Sequence, residues 1–137
     1  MTTVVEFNSR RAATGLPLLR FDLRSYSVQD LADLREAWNE LYALTESVPS
    51  DPRGYWAVAS GHGYDLELCH TNVADFLTWH RAYLYSFERA LIAALQRSRN
   101  DPTVYITLPY WDWTTTDGTV DATNGIPKAL DDASDPA

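Results

Sequence analysis

The stretch LCHTNVADFLTWHRAYLYSFERAL, residues 68–91, predicts the strongest helix of the chain and carries two of its three histidines. Apolar spacing puts one set of side chains on a single helical face, namely Phe76, His80, Leu84, Phe87, Leu91 and Ala94. We expect a helix from Val73 to about Arg97, with His80 in the middle of a buried stripe. The third histidine, His62, lies eight residues before His70, so all three fall within 19 residues.

Two more helices are predicted upstream. Ser27 is followed three residues later by Asp30, which is close to the capping-box pattern of a helix start. Leucines and a tryptophan then keep helical spacing from residue 28 to about residue 45. A short helix is expected over residues 55–61, ending at the glycines that flank His62. The fold class is therefore mainly α, with irregular loops and little strand.

The two ends of the chain carry weaker signals. Residues 1–26 lack sustained periodicity, and we expect an extended lead-in there. TVYITLPYWDW, residues 103–113, could begin as a short strand that Pro109 ends. Residues 114–137 are rich in turn formers and acidic residues, which predicts a loop-rich C-terminal end. With 45% hydrophobic residues, residues 1–137 should form a single domain.

Composition excludes several functional classes. The formal charge of −8 argues against nucleic acid or an anionic membrane as a partner, because both need basic patches. No run approaches the roughly 18 apolar residues of a membrane span. The pair Arg10 and Arg11 has no clean apolar stretch behind it, since Pro17 and Arg20 interrupt, so we expect no signal peptide. Together with a single cysteine, this favours a cytoplasmic location over secretion.

The clustered histidines have two readings. A single histidine on an apolar helix face is typical of a hydrogen-bonded core residue, but three buried imidazoles together are harder to satisfy. A metal would take one nitrogen from each, and imidazole suits zinc, copper, iron and nickel. His70 and His80 would lie about 15 Å apart along one helix, so His70 must belong to a preceding loop if both bind one ion. Spacing alone leaves both readings open.

Longer motifs give a specific resemblance. FLTWHRAYLYSFERAL followed by LPYWDW resembles the first copper-binding half of the tyrosinase, catechol oxidase and haemocyanin family, whose type-3 centre is dinuclear. His62-Gly63, Cys69-His70 and NGIPKAL at residues 124–130 are also similar to the family pattern, so the resemblance covers roughly residues 20–130. It implies half of a type-3 copper four-helix bundle.

The resemblance also implies roles for individual residues. His62, His70 and His80 would be the three ligands of one copper, with Phe76 as an aromatic wall of the pocket and no catalytic residue beyond the ligands. The second and third histidines are one residue further apart than in many members, which a loop insertion would absorb. Cys69 directly precedes His70, whereas members with a cysteine–histidine thioether have one residue between the two. A free thiol is therefore favoured over that cross-link.

The same helix carries charged and aromatic residues that we interpret as scaffold. Arg81 and Glu88 lie two turns apart with Tyr85 between them, and either charge could pair with Asp112 of LPYWDW. Core packing is the expected role of four further aromatic residues, namely Trp79, Tyr83, Trp111 and Trp113.

The family's dinuclear site needs a second set of histidines, and this sequence has none after His80. A second polypeptide could supply them, or a second copy of this chain could, or the chain could hold a single metal. The acidic, turn-rich DDASDPA at residues 131–137 is typical of a boundary and favours the second polypeptide.

The expected function is copper-dependent oxidation of phenols or catechols to o-quinones with dioxygen, once the second copper site is completed. This chain would bring one copper. The alternatives are a haemocyanin-like oxygen-binding protein without turnover, a mononuclear copper- or zinc-binding module, and a metal-free interaction domain that uses the aromatic surface.

Overall fold

A computed structural model of the chain describes residues 2–63 and 73–112. Four α-helices and one short 3-10 helix follow in the order α1 (Val4–Ala13), 3-10 helix (Leu23–Ser25), α2 (Val28–Ser47), α3 (Tyr55–Gly63) and α4 (Val73–Arg99). No strand occurs in these two ranges. The mainly α prediction is therefore confirmed, and the three predicted helices are present with ends within two residues of those expected.

The extended lead-in is wrong over much of its length, because α1 occupies residues 4–13. The Thr3 hydroxyl accepts a hydrogen bond from the Glu6 N–H, and the Glu6 carboxylate accepts one from the Thr3 N–H, each at 3.1 Å. This reciprocal cap starts the helix. Periodicity missed it because the buried side chains of α1 are only Val4, Val5 and Asn8, too few to make a recognisable apolar stripe.

The capping prediction for α2 is confirmed. The Ser27 hydroxyl accepts a hydrogen bond from the Asp30 N–H at 3.2 Å, and the Asp30 carboxylate accepts one from the Ser27 N–H at 2.8 Å. The same buried carboxylate also accepts a hydrogen bond from the N–H of Val4 at 2.6 Å. One side chain thus fixes the starts of both α1 and α2.

The core lies between α2 and the C-terminal half of α4, which run antiparallel. It is formed by Val5, Ala37, Leu41, Phe87, Leu91, Ala94, Leu95 and Ile106. Ion pairs at its edge connect Arg99 of α4 to Asp33 and Glu36 of α2, at 2.7 and 2.6 Å. Because hydrophobic packing and ion pairs coincide, this end of α4 is the best-fixed part of the helix.

The predicted buried stripe on α4 is correct for only half of the helix. Phe87, Leu91 and Ala94 are buried, whereas Phe76 and Leu84 are each 40% exposed and His80 is half-buried. The reason is the reach of α2: among the described residues, it covers the C-terminal half of α4, and the nine-residue α3 packs beside the other half. The histidine-bearing part of α4 therefore borders solvent.

The predicted strand in residues 103–113 is also wrong for the residues described. Their backbone meets the 3-10 helix region through one parallel bridge, in which the Leu23 N–H donates to the Tyr110 carbonyl and the Tyr110 N–H donates to the Phe21 carbonyl. No ladder develops, because the 3-10 helix begins at Leu23 and turns the neighbouring backbone away.

Glu88 fixes this segment to α4. Its buried carboxylate accepts a hydrogen bond from the Leu108 N–H at 2.9 Å and pairs with the Arg20 guanidinium at 2.8 Å. The charge partner of Glu88 is thus Arg20. The expected pair of Glu88 with Asp112 is wrong, because two carboxylates repel each other, whereas the contacts of Glu88 with Leu108 and Arg20 agree with a scaffold role. None of the helices in the described ranges combines the length and the apolar character needed to cross a membrane.

Candidate metal centre

Two of the three predicted ligands lie together in the structure. His62 is the last residue but one of α3, and His80 lies two turns into α4. Their ring centroids are 5.4 Å apart, and the ring planes are inclined by 66°. The approach of α3 to α4 therefore brings the two imidazoles side by side although they are 18 positions apart in the sequence.

This separation fits two ligands of one metal ion. Imidazole nitrogens lie about 2.0–2.1 Å from zinc, so two tetrahedrally arranged imidazoles would have ring centroids roughly 5 Å apart. The observed 5.4 Å agrees with this value without any movement of α3 against α4. Two rings in simple edge-to-face contact can show a similar distance, so the position of the ring nitrogens distinguishes a metal-binding pair from an aromatic contact.

The backbone orients the ring of His80. Its Nδ1 lies 2.7 Å from the carbonyl oxygen of Phe76, one turn earlier in α4. A carbonyl only accepts, so Nδ1 carries the proton and the lone pair of the neutral ring lies on Nε2. A second hydrogen bond of this kind is typical of metal-binding histidines, because it fixes the tautomer and the ring plane. His80 is therefore set up to bind a metal through Nε2.

The ring of Phe76, for which we predicted a pocket-wall role, lies against the ring of His80. Its ring centroid is 4.1 Å from that of His80, with the planes inclined by 35°. The phenylalanine side chain is 40% exposed. In the described ranges it therefore covers one side of the imidazole and is itself open to solvent on the other.

Trp79 and Tyr83 contact His62, a role that the core-packing interpretation missed. Their ring centroids lie 5.7 and 5.5 Å from that of His62, and the two rings stack on each other at 5.4 Å. The Tyr83 hydroxyl donates to the carbonyl oxygen of Val58 at 3.2 Å, which ties α4 to α3. Burial raises the pKa of Tyr83. Trp79 and Tyr83 are four positions apart, one on each side of His80 in the sequence, and so share a face of α4 near that histidine. This spacing is the sequence signal that could have indicated their contact with His62.

Other predicted site residues lie outside the described residues, namely His70, Cys69 and Trp113. The NGIPKAL motif does too. Among residues 2–63 and 73–112, no group of three histidine, cysteine, aspartate or glutamate side chains is placed to hold a metal. Trp111 is described, and at 37% exposed it is not the core residue that we expected. The structure thus assembles two of three proposed ligands.

Comparison with known proteins gives the family. Residues 31–136 match the model of the common central domain of tyrosinase. Grixazone synthase of Streptomyces griseus is 53% identical over 51 residues, covering 37% of this chain and 14% of that protein. The tyrosinase-like protein phomQ1' of Diaporthe leptostromiformis is 49% identical over 98 residues, covering 72% of this chain and 24% of that protein.

Hemocyanins are also similar to this chain. Unit G of the Helix pomatia hemocyanin beta-C chain is 31% identical over 106 residues, covering 71% of this chain and 23% of that protein. The chain thus spans about a quarter or less of the length of these curated relatives. No solved structure matches the chain significantly. The match to the central domain covers most of the chain, and the chain therefore belongs to the tyrosinase family of type-3 copper proteins.

Proposed function

We propose that this chain supplies the first copper site of a dinuclear type-3 centre that oxidises phenols or catechols to o-quinones. His62, His70 and His80 would bind this copper. Histidines from outside these 137 residues would bind the second one. The observation that carries the proposal is the pairing of His62 with His80 at 5.4 Å, with the His80 ring oriented by the Phe76 carbonyl.

Each residue of the described site has a definable task in this proposal. When bound, copper would supply the redox chemistry, and the histidines would fix its coordination geometry and open positions. The Phe76 carbonyl holds the His80 tautomer, and the Phe76 ring restricts the approach of water from its side. Trp79 and Tyr83 hold the His62 ring in place from the opposite helix.

The exposed half of α4 supports a partner for the second copper. Leu77 is 75% exposed, Tyr85 59% and Leu84 40%, all on the part of the helix that carries His80. Apolar side chains exposed together next to a site are typical of an interface. We favour a second polypeptide that brings the remaining histidines, and a second copy of this chain is the alternative.

Copper stoichiometry tests the proposal directly. We expect one copper per chain in isolation, two per complex when the completing partner is present, and loss of the first copper in His62→Gln and His80→Gln. Arg81→Gln is the matched control, because Arg81 is an exposed neighbour of His80 on the same helix and should leave copper binding unchanged. Zinc at one per chain, with no oxidase activity in any mixture, would instead support a mononuclear binding module.

The similarity to molluscan hemocyanins favours a second candidate, reversible oxygen binding without turnover. Grixazone synthase, by contrast, is named as an enzyme, and its matching segment has the highest identity among the relatives described above. Steady-state catechol oxidation by the copper-loaded complex separates the two. An enzyme forms quinone continuously, whereas a carrier takes up oxygen and releases it without product.

A further inference from the structure

A continuous series of aromatic rings leads from the histidines along α4 to α2 and to the first residue of α3. We call it the aromatic chain and define it by its members, which are Trp79, Tyr83, Phe87, Trp38, Tyr42 and Tyr55. Trp79 lies 5.0 Å from His80 by ring centroids and stacks on Tyr83 at 5.4 Å. Every contact in the aromatic chain is within the range of favourable aromatic pairs, roughly 4.5–7 Å.

The aromatic chain then crosses the core. Phe87 lies 6.1 Å from Tyr83 and 5.0 Å from Trp38, so it connects the site to α2. Trp38 lies 6.1 Å from both Tyr42 and Tyr55. Because Phe87 is buried at 7% exposed, the middle of the aromatic chain is shielded from water.

The far end of the aromatic chain is a pair of phenols at the surface. Tyr42 and Tyr55 have ring centroids 4.5 Å apart, and Tyr42 is 43% exposed. Burial and the neighbouring Tyr55 hydroxyl raise the pKa of Tyr42. Tyr42 therefore keeps its proton at neutral pH, so its oxidation releases both a proton and an electron.

We propose that the aromatic chain carries oxidising equivalents from the metal site to the Tyr42–Tyr55 pair at the surface. Indole and phenol rings lose single electrons far more readily than phenylalanine or aliphatic side chains do. Trp79, Tyr83, Trp38 and Tyr42 can therefore act as successive one-electron carriers, with Phe87 as the contact between the second and the third. The His62 and His80 rings would otherwise be the first groups exposed to such an oxidant.

For each oxidising equivalent, Tyr42 loses one electron and later regains one electron. With copper bound at the histidines, the one-electron oxidant would come from incomplete reduction of dioxygen or from hydrogen peroxide. Tyr42 gives up one electron, which passes along the aromatic chain to that oxidant, and releases its phenolic proton to water. A phenol in solution then returns one electron and one proton to the Tyr42 phenoxyl radical and leaves as a phenoxyl radical itself.

Solvent exposure alone would not make Tyr42 the tyrosine that is oxidised at the surface. Tyr85 and Tyr110 are more exposed, at 59% and 51%. Tyr85 is also close to His80 in sequence, whereas Tyr42 is on another helix. These two tyrosines are therefore internal controls, since oxidation by a species diffusing in solution should reach them at least as readily as Tyr42.

A light-driven oxidant tests the aromatic chain without copper. The proposed function supplies only the source of the oxidant for this proposal. Electron transfer along the aromatic chain and copper-dependent oxidation can therefore fail independently of each other. In a His62→Gln/His70→Gln variant, a ruthenium bipyridine sensitiser is attached to His80, the one remaining histidine. After flash-quench oxidation, radicals are followed by freeze-quench electron paramagnetic resonance and mapped by mass spectrometry of spin-trap adducts.

We expect adducts at Tyr42 or Tyr55 in excess over Tyr85 and Tyr110. Trp38→Phe keeps a ring in the core but removes a carrier, so adducts at the surface pair should fall several-fold and shift to Trp79 and Tyr83. Trp56→Phe is the matched control, an exposed tryptophan outside the aromatic chain, and should change nothing. Tyr83→Phe provides a second break if Trp38→Phe does not fold. Unchanged adducts at Tyr42 in a folded break variant, or adducts at all tyrosines in proportion to exposure, would overturn the proposal.

Discussion

Glu88→Ala should destabilise the fold by about 3 kcal/mol, because one carboxylate joins three separated parts of the chain. Removing it leaves the Leu108 N–H without its acceptor at a partly buried position, which costs about 1–3 kcal/mol. The Arg20 side chain is 36% exposed, so its ion pair adds only about 0.2–1 kcal/mol. The one buried methylene that alanine lacks contributes about 0.8 kcal/mol.

Urea unfolding at pH 7 measures this loss. With a slope of about 2 kcal/mol per molar urea, the midpoint of Glu88→Ala should fall by about 1–2 M. Glu88→Gln retains an acceptor and the apolar stem, so it should lose only about 1 kcal/mol. Arg20→Met isolates the ion pair and should lose less still.

A result within about 0.5 kcal/mol of wild type for Glu88→Ala would refute the reasoning, since that is the range of ordinary surface substitutions. An Arg20→Met loss as large as that of Glu88→Ala would also refute it, because the ion pair and not the backbone hydrogen bond would then be the main contribution. The double variant separates the two terms through their coupling energy.

Three further substitutions test other contacts. Asp30→Asn should cost about 1–2 kcal/mol at pH 7 by weakening the bond to the Val4 N–H. Burial acts to raise the pKa of Asp30, but hydrogen bonds from Ser27 and Val4 hold it below 3.8 in the folded state. The loss of unfolding free energy in Asp30→Asn, measured by urea unfolding at a series of pH values, should therefore persist above pH 4. It should disappear as the pH falls through the folded-state pKa, because the wild-type carboxylate is then protonated. Gly54→Ala would place a Cβ 2.6 Å from the Thr45 hydroxyl oxygen and should lower stability by about 1–3 kcal/mol in thermal unfolding, where an unchanged midpoint would contradict the clash. Arg99→Met should lose about 2 kcal/mol in urea at low salt and less in 1 M NaCl, because it leaves two carboxylates of α2 without their cation.

The sequence was most informative where local signals agreed. The helix α2 could be predicted from its Ser27–Asp30 cap and apolar spacing, and both are present. The helix α1 could not, because ten residues with three buried side chains carry too little periodicity. The segment before Pro109 was mistaken for a strand since its composition is β-like, while pairing depends on a neighbour that turns away after a single bridge.

For the site, motif and structure were informative in different ways. The sequence motif predicts His62 and His80 as ligands, but no spacing rule could give the 5.4 Å separation of their rings, which depends on how α3 packs against α4. The apolar spacing of α4 placed His80 in a buried stripe, and this prediction is wrong because His80 is only half-buried. Helical periodicity shows which side chains share a face but not how far along the helix a neighbour covers that face.

The uneven burial of α4 bears on how such a site keeps its geometry. Leu91, Ala94 and Leu95 are fully buried, so the C-terminal half of the helix is fixed by the core. His80 lies on the other half and inherits its position through the continuous backbone hydrogen bonds of the helix and through its own bond to the Phe76 carbonyl. A rigid helix can thus hold a ligand in place while one face stays open. In the proposed function, histidines from outside these 137 residues would reach the metal from the side of α4 that the described residues leave uncovered.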